Sequence, residues 1–266
     1  MIYEKADAVA RFLRFSVDMN PSLYDFNQKA AGKNHLLAVL PREEFERING
    51  IIEPVEVAAG QVLYEADEKV DYAYFPMTAI VSLASVTECG KTVAFAVVGN
   101  EGVLGVSLFL GGDFVAWSAV VKSAGRLYRI RRDDLMSEFR RGGRFRTVLL
   151  RYAQALYVQI SQTAVCNRFH DVDHRLCRWL LLSHDRLNSN KFFMTHEHIS
   201  DMLGVRREGV TLSARKLAAR NLIMNRRGTI EILDRKRLEA AACECYGIVS
   251  TEYNRLLGKG ISRVFG

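Results

Sequence analysis

Thr195-His-Glu-His-Ile-Ser-Asp-Met-Leu-Gly-Val-Arg-Arg-Glu-Gly-Val-Thr-Leu-Ser-Ala-Arg-Lys-Leu217 is the stretch whose reading decides the fold. Thr195 offers a hydroxyl to cap a helix, Glu197 sits in its first turn, and Ile199, Met202 and Leu203 make one apolar face. Gly204 permits the tight turn that ends this helix. A second helix follows, with Val205, Val210, Ala214 and Leu217 inward and Arg206, Arg207, Glu208, Thr211 and Arg215 on the opposite face. A buried spine, a glycine turn and long polar side chains at the start of the second helix are the requirements of a helix-turn-helix, which presents those side chains to base edges. Downstream, 223–225 and 229–233 predict a hairpin with a basic Arg226-Arg227-Gly228 tip suited to phosphate. The candidate DNA-binding residues are therefore Thr195, Arg206, Arg207, Glu208, Thr211, Ser213, Arg215, Arg226 and Arg227.

Charge points to the same partner. Residues 1–140 hold 15 Lys and Arg against 19 Asp and Glu, a balance of −4, whereas residues 141–266 hold 22 against 11, a balance of +11. Positive charge concentrated in the half that carries the helix-turn-helix is the footprint of a polyanion. A solvated basic surface is the bland alternative on charge alone.

Upstream, the pattern changes from helical to stranded. Segments 62–64, 72–75, 80–86, 92–98, 116–121 and 127–130 are rich in β-branched and aromatic residues and are separated by turns such as Ala59-Gly60, Gly99-Asn100 and Gly111-Gly112-Asp113. Strands this short, at this spacing, predict a small antiparallel barrel or sandwich. Pro41 opens a short helix over 42–48, and Asp133-Asp134 opens another with carboxylates at its positive end. After Gly142-Gly143 a long helix over 144–168 places Phe145, Leu149, Tyr152, Leu156, Gln159, Thr163 and Cys166 at alternating steps of four and three, a heptad seam. The expectation is that this seam joins two copies of the chain, while Val148, Ala155 and Val158 face the barrel. An amphipathic helix lying on its own barrel is the alternative.

The predicted class is α+β: an N-terminal extension (1–33), a jelly-roll-like antiparallel β-roll sensor (34–132), a linker and long dimerisation helix (133–168), a winged helix-turn-helix (169–245) and a C-terminal tail (246–266). Among residues 1–33 one helix is expected over 7–15. The first residues include Glu4, Asp7, Arg11 and Arg14, which leaves no uninterrupted apolar core for a signal peptide, and no apolar run is long enough for a membrane span. A cytoplasmic placement without membrane association is expected.

The five cysteines, Cys89, Cys166, Cys177, Cys243 and Cys245, are expected to be reduced. Cys243 and Cys245 stand one residue apart, closer than the usual zinc pair, and an N-terminal thiolate group for an iron–sulfur cluster is absent. His170 and His174 fall four apart and His196 and His198 two apart, with no third and fourth ligand evident, so solvated or capping roles are expected and no metal or cofactor. Ser, His and Asp residues lack a nucleophile-elbow context, and no enzymatic activity is expected.

The sequence resembles the CRP/FNR family of bacterial transcription regulators from about residue 34 to 234. Thr195, Ile199, Leu203-Gly204 and Arg207-Glu208-x-Val210 carry the helix-turn-helix part. Gly60-Gln-Val-Leu, Tyr74-Phe75, Gly90-Lys-Thr and the glycines from Gly99 to Gly105 carry the barrel part. The resemblance implies a homodimer on a near-palindromic double-stranded operator, RNA polymerase as a further partner, and Arg207 and Glu208 as readers of guanine and cytosine. It also implies a cyclic-nucleotide-type pocket over Gly99, Asn100, Glu101, Gly102, Trp117 and Ser118. Trp117-Ser118 stands where the family keeps an Arg-Ser or Arg-Thr pair for the cyclic phosphate, and a buried phosphate without its cation is disfavoured. Cyclic AMP is therefore not the expected effector. Arg206 replaces a small capping hydroxyl, Gly209 weakens the reading helix, and Leu212 occupies the place of a third polar reader. The competing function is a ligand-binding module that regulates a protein partner without reading DNA.

Overall fold

A computed structural model of the chain describes residues 34–88, 90, 92–186, 190–226 and 228–257. The expected extension 1–33 and its helix over 7–15, together with Cys89, Lys91 and Arg227, lie outside the described residues.

Two short helices, α1 (His35–Ala38) and α2 (Arg42–Asn49), lead into the strands. Asn34 caps α1 through its side-chain oxygen, and Pro41 precedes α2 where its missing N–H costs nothing. The strands are β1 (Glu53–Val57), β2 (Val62–Tyr64), β3 (Tyr72–Pro76), β4 (Ile80–Val86), β5 (Thr92–Val98), β6 (Ser118–Ser123) and β7 (Gly125–Arg131). They form two antiparallel sheets, ordered β1-β7-β3 and β2-β6-β4-β5, with helix α3 (Val106–Leu110) inserted between β5 and β6. Strand β1 was not foreseen: Glu53 and Glu56 are charged, and only pairing with β7 makes the segment a strand.

Helices α4 (Arg132–Arg141) and α5 (Gly143–Phe169) follow. Glu44 of α2 accepts hydrogen bonds from the backbone N–H of Arg144 (3.0 Å) and Phe145 (2.7 Å), so a carboxylate from another helix caps the positive end of α5. The C-terminal part comprises α6 (Val172–Asp185), β8 (Lys191–Phe193), α7 (His196–Leu203), α8 (Arg207–Ala219), the hairpin β9 (Ile223–Arg226) and β10 (Thr229–Ile232), α9 (Arg235–Ala240) and α10 (Glu244–Leu257). Residues 244–257, most of the expected tail, are thus a helix, and it lies along α5.

That packing changes the reading of α5. Phe145, Leu149, Tyr152, Leu156, Gln159, Thr163 and Cys166, the seam expected to face a second copy, are all buried within the chain, as are Val148 and Ala155. The β-roll takes one stripe, and α10, absent from the sequence reading, takes much of the other. What remains outward is a third stripe: Leu150 and Tyr157 exposed, Ala153 and Ile160 half-buried, and Ala164 exposed. It too runs at alternating steps of three and four.

Candidate nucleic-acid interface and sensor pocket

The helix-turn-helix is built as its residues require. The Thr195 hydroxyl accepts the His198 N–H at 3.2 Å, and Gly204 ends α7 in the left-handed conformation (φ 61°) that glycine adopts without strain. Ile199, Met202, Leu203, Val210, Ala214 and Leu217 are buried together. Arg206, Arg207, Glu208, Leu212 and Arg215 are exposed along α8, and Arg226 is exposed at the end of β9. Arg207 is held toward Glu197 of α7 at 3.6 Å.

Two expected readers have structural partners. Ser213 is buried, and its hydroxyl donates to the Asp173 carboxylate of α6, which also receives Lys216 at 2.8 Å. Ser213 is therefore withdrawn from the reading surface, because its direction on α8 turns it into the domain. Thr211 donates to the Arg207 carbonyl (3.0 Å) and contacts His196 Nδ1 at 2.9 Å. His196 Nε2 in turn meets the Asn225 side-chain amide on β9. Donation from Nδ1 with acceptance at Nε2 requires a neutral imidazole, and burial, followed by the charges of Arg207 and Arg215, lowers the His196 pKa. His196 thus ties the reading helix to the wing, a role that only the wing's folding back reveals.

A cleft lies between the β-roll and α5, with a volume of about 420 Å³. Tyr64, Leu83, Val103, Leu104, Val115 and Trp117 line the β-roll side, and Ala153, Leu156, Tyr157 and Ile160 line the helix side. No charged side chain lines it among the described residues. Of the expected pocket residues only Trp117 is on this wall. Ser118 points elsewhere, donating to Glu65 at 2.8 Å and accepting from the Ala66 N–H.

Gly99, Asn100, Glu101 and Gly102 serve a different place. Glu101 is fully buried, accepting the Gly99 N–H (3.0 Å) and Arg186 Nε (2.8 Å). Arg186, at the end of α6, also donates to Gln159 (2.7 Å) and to the Leu182 carbonyl, and lies over the Tyr253 ring of α10. A Cβ at Gly102 would come 2.4 Å from the Tyr152 ring, and one at Gly99 2.7 Å from the Arg186 side chain. These glycines admit α5 and α6 rather than a ribose. The β-roll, the long helix, the C-terminal domain and α10 meet at this buried ion pair. The C-terminal domain touches the β-roll again where α7 packs on β5: a Cβ at Gly204 would stand 3.0 Å from Val93.

One further cluster escaped the sequence reading. Cys166 of α5, His170 at its end, and Cys243 and Cys245 flanking the start of α10 bring their ligand atoms within 4.8 Å of one another. The third and fourth ligands that His170 lacked in sequence come from 73 or more residues away, through the α10 packing. His174, in contrast, is exposed and lies beside Asp171 (2.8 Å), the residue that caps α6.

Residues 54–141 match the family described as cyclic nucleotide-binding domain, and residues 174–241 match the Crp-like helix-turn-helix domain. No curated protein matches the chain. Among solved structures, FixK2 from Bradyrhizobium japonicum superposes with a TM-score of 0.62 at 16% identity, covering 73% of this chain and 98% of its own. The c-di-GMP responsive global regulator CLP of Xanthomonas campestris gives 0.60 at 15%, covering 73% and 100%. A putative transcriptional regulator of the Crp/Fnr family from Eubacterium rectale gives 0.59 at 17%, covering 76% and 94%. At these identities the likeness is one of fold. No described helix is long and apolar enough to cross a membrane.

Proposed function

We propose that this chain, a CRP/FNR-type regulator by its two matched domains and its fold, reads a near-palindromic DNA site as a twofold dimer and takes an uncharged effector in its sensor cleft. The observation that carries the DNA reading is the exposed start of α8, where Arg206, Arg207, Glu208 and Arg215 stand clear on a buried apolar spine, flanked by Arg226 on the wing. Side chains held this way on a rigid helix reach base edges, and the basic wing reaches phosphate. Thr195 serves by capping α7; Arg227, expected beside Arg226 on the basic tip, lies outside the described residues.

The dimer reading rests on the outward stripe of α5. Leu150, Ala153, Tyr157, Ile160 and Ala164 form an apolar stripe on the side of α5 left exposed or half-buried, and Tyr157 is 68% exposed. The same Tyr157, Ile160 and Ala153 line the sensor cleft, so a partner helix seated there would touch the cleft's rim. The effector reading rests on the cleft's chemistry: Trp117 and aliphatic walls suit a flat apolar or aromatic molecule, and a cyclic phosphate finds no cation.

Selection of the bound sequence from random duplexes tests the whole reading. Affinity for the selected site should fall steeply with salt as counterions are released. Arg207→Ala should relax discrimination at one base pair per half-site by about 1–3 kcal/mol, whereas Arg226→Ala should weaken all sequences alike. Cyclic AMP and cyclic GMP at millimolar concentration should leave the melting temperature unchanged, since a ligand at a hundred times its Kd stabilises a fold by about 2.7 kcal/mol. A chain that ignores every duplex is a protein-partner module instead.

A further inference from the structure

The Cys166, His170, Cys243 and Cys245 cluster lies apart from the cleft and the reading helix. Its three thiols form a buried group of their own, separate from the main core. Cys166 Sγ and Cys243 Sγ stand 3.6 Å apart, and Cys245 Sγ stands 3.7 Å from His170 Nδ1. In a tetrahedral zinc site with Zn–S bonds of about 2.3 Å and Zn–N bonds of about 2.0 Å, neighbouring ligand atoms stand about 3.5–3.8 Å apart. The Cys166–Cys243 and Cys245–His170 edges match that figure. A disulfide needs the sulfurs at about 2.05 Å. An iron–sulfur cluster spreads its four protein ligands over two or more irons, so some of them stand farther apart than the 4.8 Å within which all four ligand atoms lie here.

Two neighbours support the same occupant. His170 turns Nδ1 inward while its Nε2 meets the Glu244 carboxylate at 3.3 Å, the outer-shell arrangement that fixes a metal-bound imidazole and raises its basicity. Arg178 is buried, bonds Thr163 Oγ1 at 2.8 Å, and has no carboxylate partner among the described residues. Three thiolates around a divalent ion carry a net negative charge, and a buried guanidinium beside them balances it.

We propose that Cys166, His170, Cys243 and Cys245 bind one Zn²⁺ ion that clamps the end of α5 to the start of α10. The ligands come from two segments far apart in sequence, so the ion is a cross-link between the long helix and the C-terminal helix that covers it. Binding releases the thiol protons to solvent and changes no oxidation state.

The test is the metal content of the reduced full-length chain after incubation with zinc and desalting, with cobalt substitution as a spectroscopic readout. One zinc per chain is expected, and the cobalt form should show thiolate charge-transfer and intense tetrahedral ligand-field bands. The Cys243→Ser/Cys245→Ser double variant should lose both, while Cys177→Ala, outside the cluster, should keep them. Should the double variant fail to fold, Glu244→Gln decides: its side chain is 67% exposed, and it should fold yet bind zinc about 10–100-fold more weakly. No zinc uptake by the wild type, zinc retained by a folded double variant, unchanged affinity in Glu244→Gln, or an iron–sulfur chromophore in the purified chain would each overturn the assignment. The measurement needs no DNA, so it stands or falls separately from the DNA reading.

Discussion

On α5 the stripe of Phe145, Leu149, Tyr152, Leu156 and Gln159 is buried inward, whereas the adjacent stripe of Leu150, Ala153, Tyr157, Ile160 and Ala164 is exposed or half-buried, with Ala153, Tyr157 and Ile160 on the rim of the cleft. Both stripes follow heptad spacing, and the polar members separate them. On the inward face Gln159 is fixed at both ends of its amide, donating to the Val97 carbonyl (3.0 Å) and accepting from Arg186 and Tyr253. A buried polar residue bonded at both ends of its amide specifies one arrangement of neighbours. The outward stripe holds no such group, and its apolar character has a use only if something covers it. The comparison separates a face that determines the fold from one left for assembly.

The largest expected effect breaks the inward face. Glu101→Ala leaves Arg186 charged and buried without a counterion, and should cost about 3–5 kcal/mol in denaturant unfolding. A Glu101→Leu/Arg186→Met double variant should recover much of that loss, because the desolvation of both charges disappears with them. Equal instability in the single and double variants would mean that packing, not charge pairing, holds the junction.

Next in size is a pH effect at the same face. His35 on α1 is buried against this part of the chain, and burial lowers its pKa to about 4 from the ordinary 6.5. The unfolded chain therefore binds a proton that the folded chain resists, and the stability contributed above pH 6.5 is lost as pH falls toward 4. The slope approaches about 1.4 kcal/mol per pH unit. His35→Gln should flatten it in chemical unfolding measured between neutral and acid pH. An unchanged slope would assign the acid sensitivity to other groups.

The smallest effect on folding, and the sharpest on assembly, belongs to the outward stripe. Leu150→Glu/Tyr157→Glu should shift the unfolding free energy of the isolated subunit by less than about 0.5 kcal/mol per site, as exposed substitutions do. In sedimentation the variant should be monomeric, and its unfolding midpoint should no longer rise with protein concentration as a dimer's does. A wild type that is monomeric on its DNA site would remove the outward seam.

The order of elements was legible from the residues alone. Six strands, the long helix, the capped start of α6 at Asp171, the helix-turn-helix and the wing all carry local signals: β-branched runs between turns, a capping hydroxyl, a glycine at φ 61°. Those signals act over a few residues, so a sequence states them directly. The sequence also determined that α5 has heptad stripes and that the half with the reading helix is basic. Tertiary structure decided what faces what. Stripes one residue apart are equivalent on an isolated helix, and the choice fell to α10, whose own start gave no strong signal. Gly99 and Gly102 could serve a ligand or a tight packing contact, and only the placement of Tyr152 and Arg186 separates the two. Ser213 looks like a reader until Asp173 of another helix claims it, and Cys166 and His170 look like half a site until Cys243 and Cys245 arrive from the far end of the chain. Each of these depends on groups 40 or more residues apart in sequence, and a distance of that kind is fixed by packing, not by any local pattern.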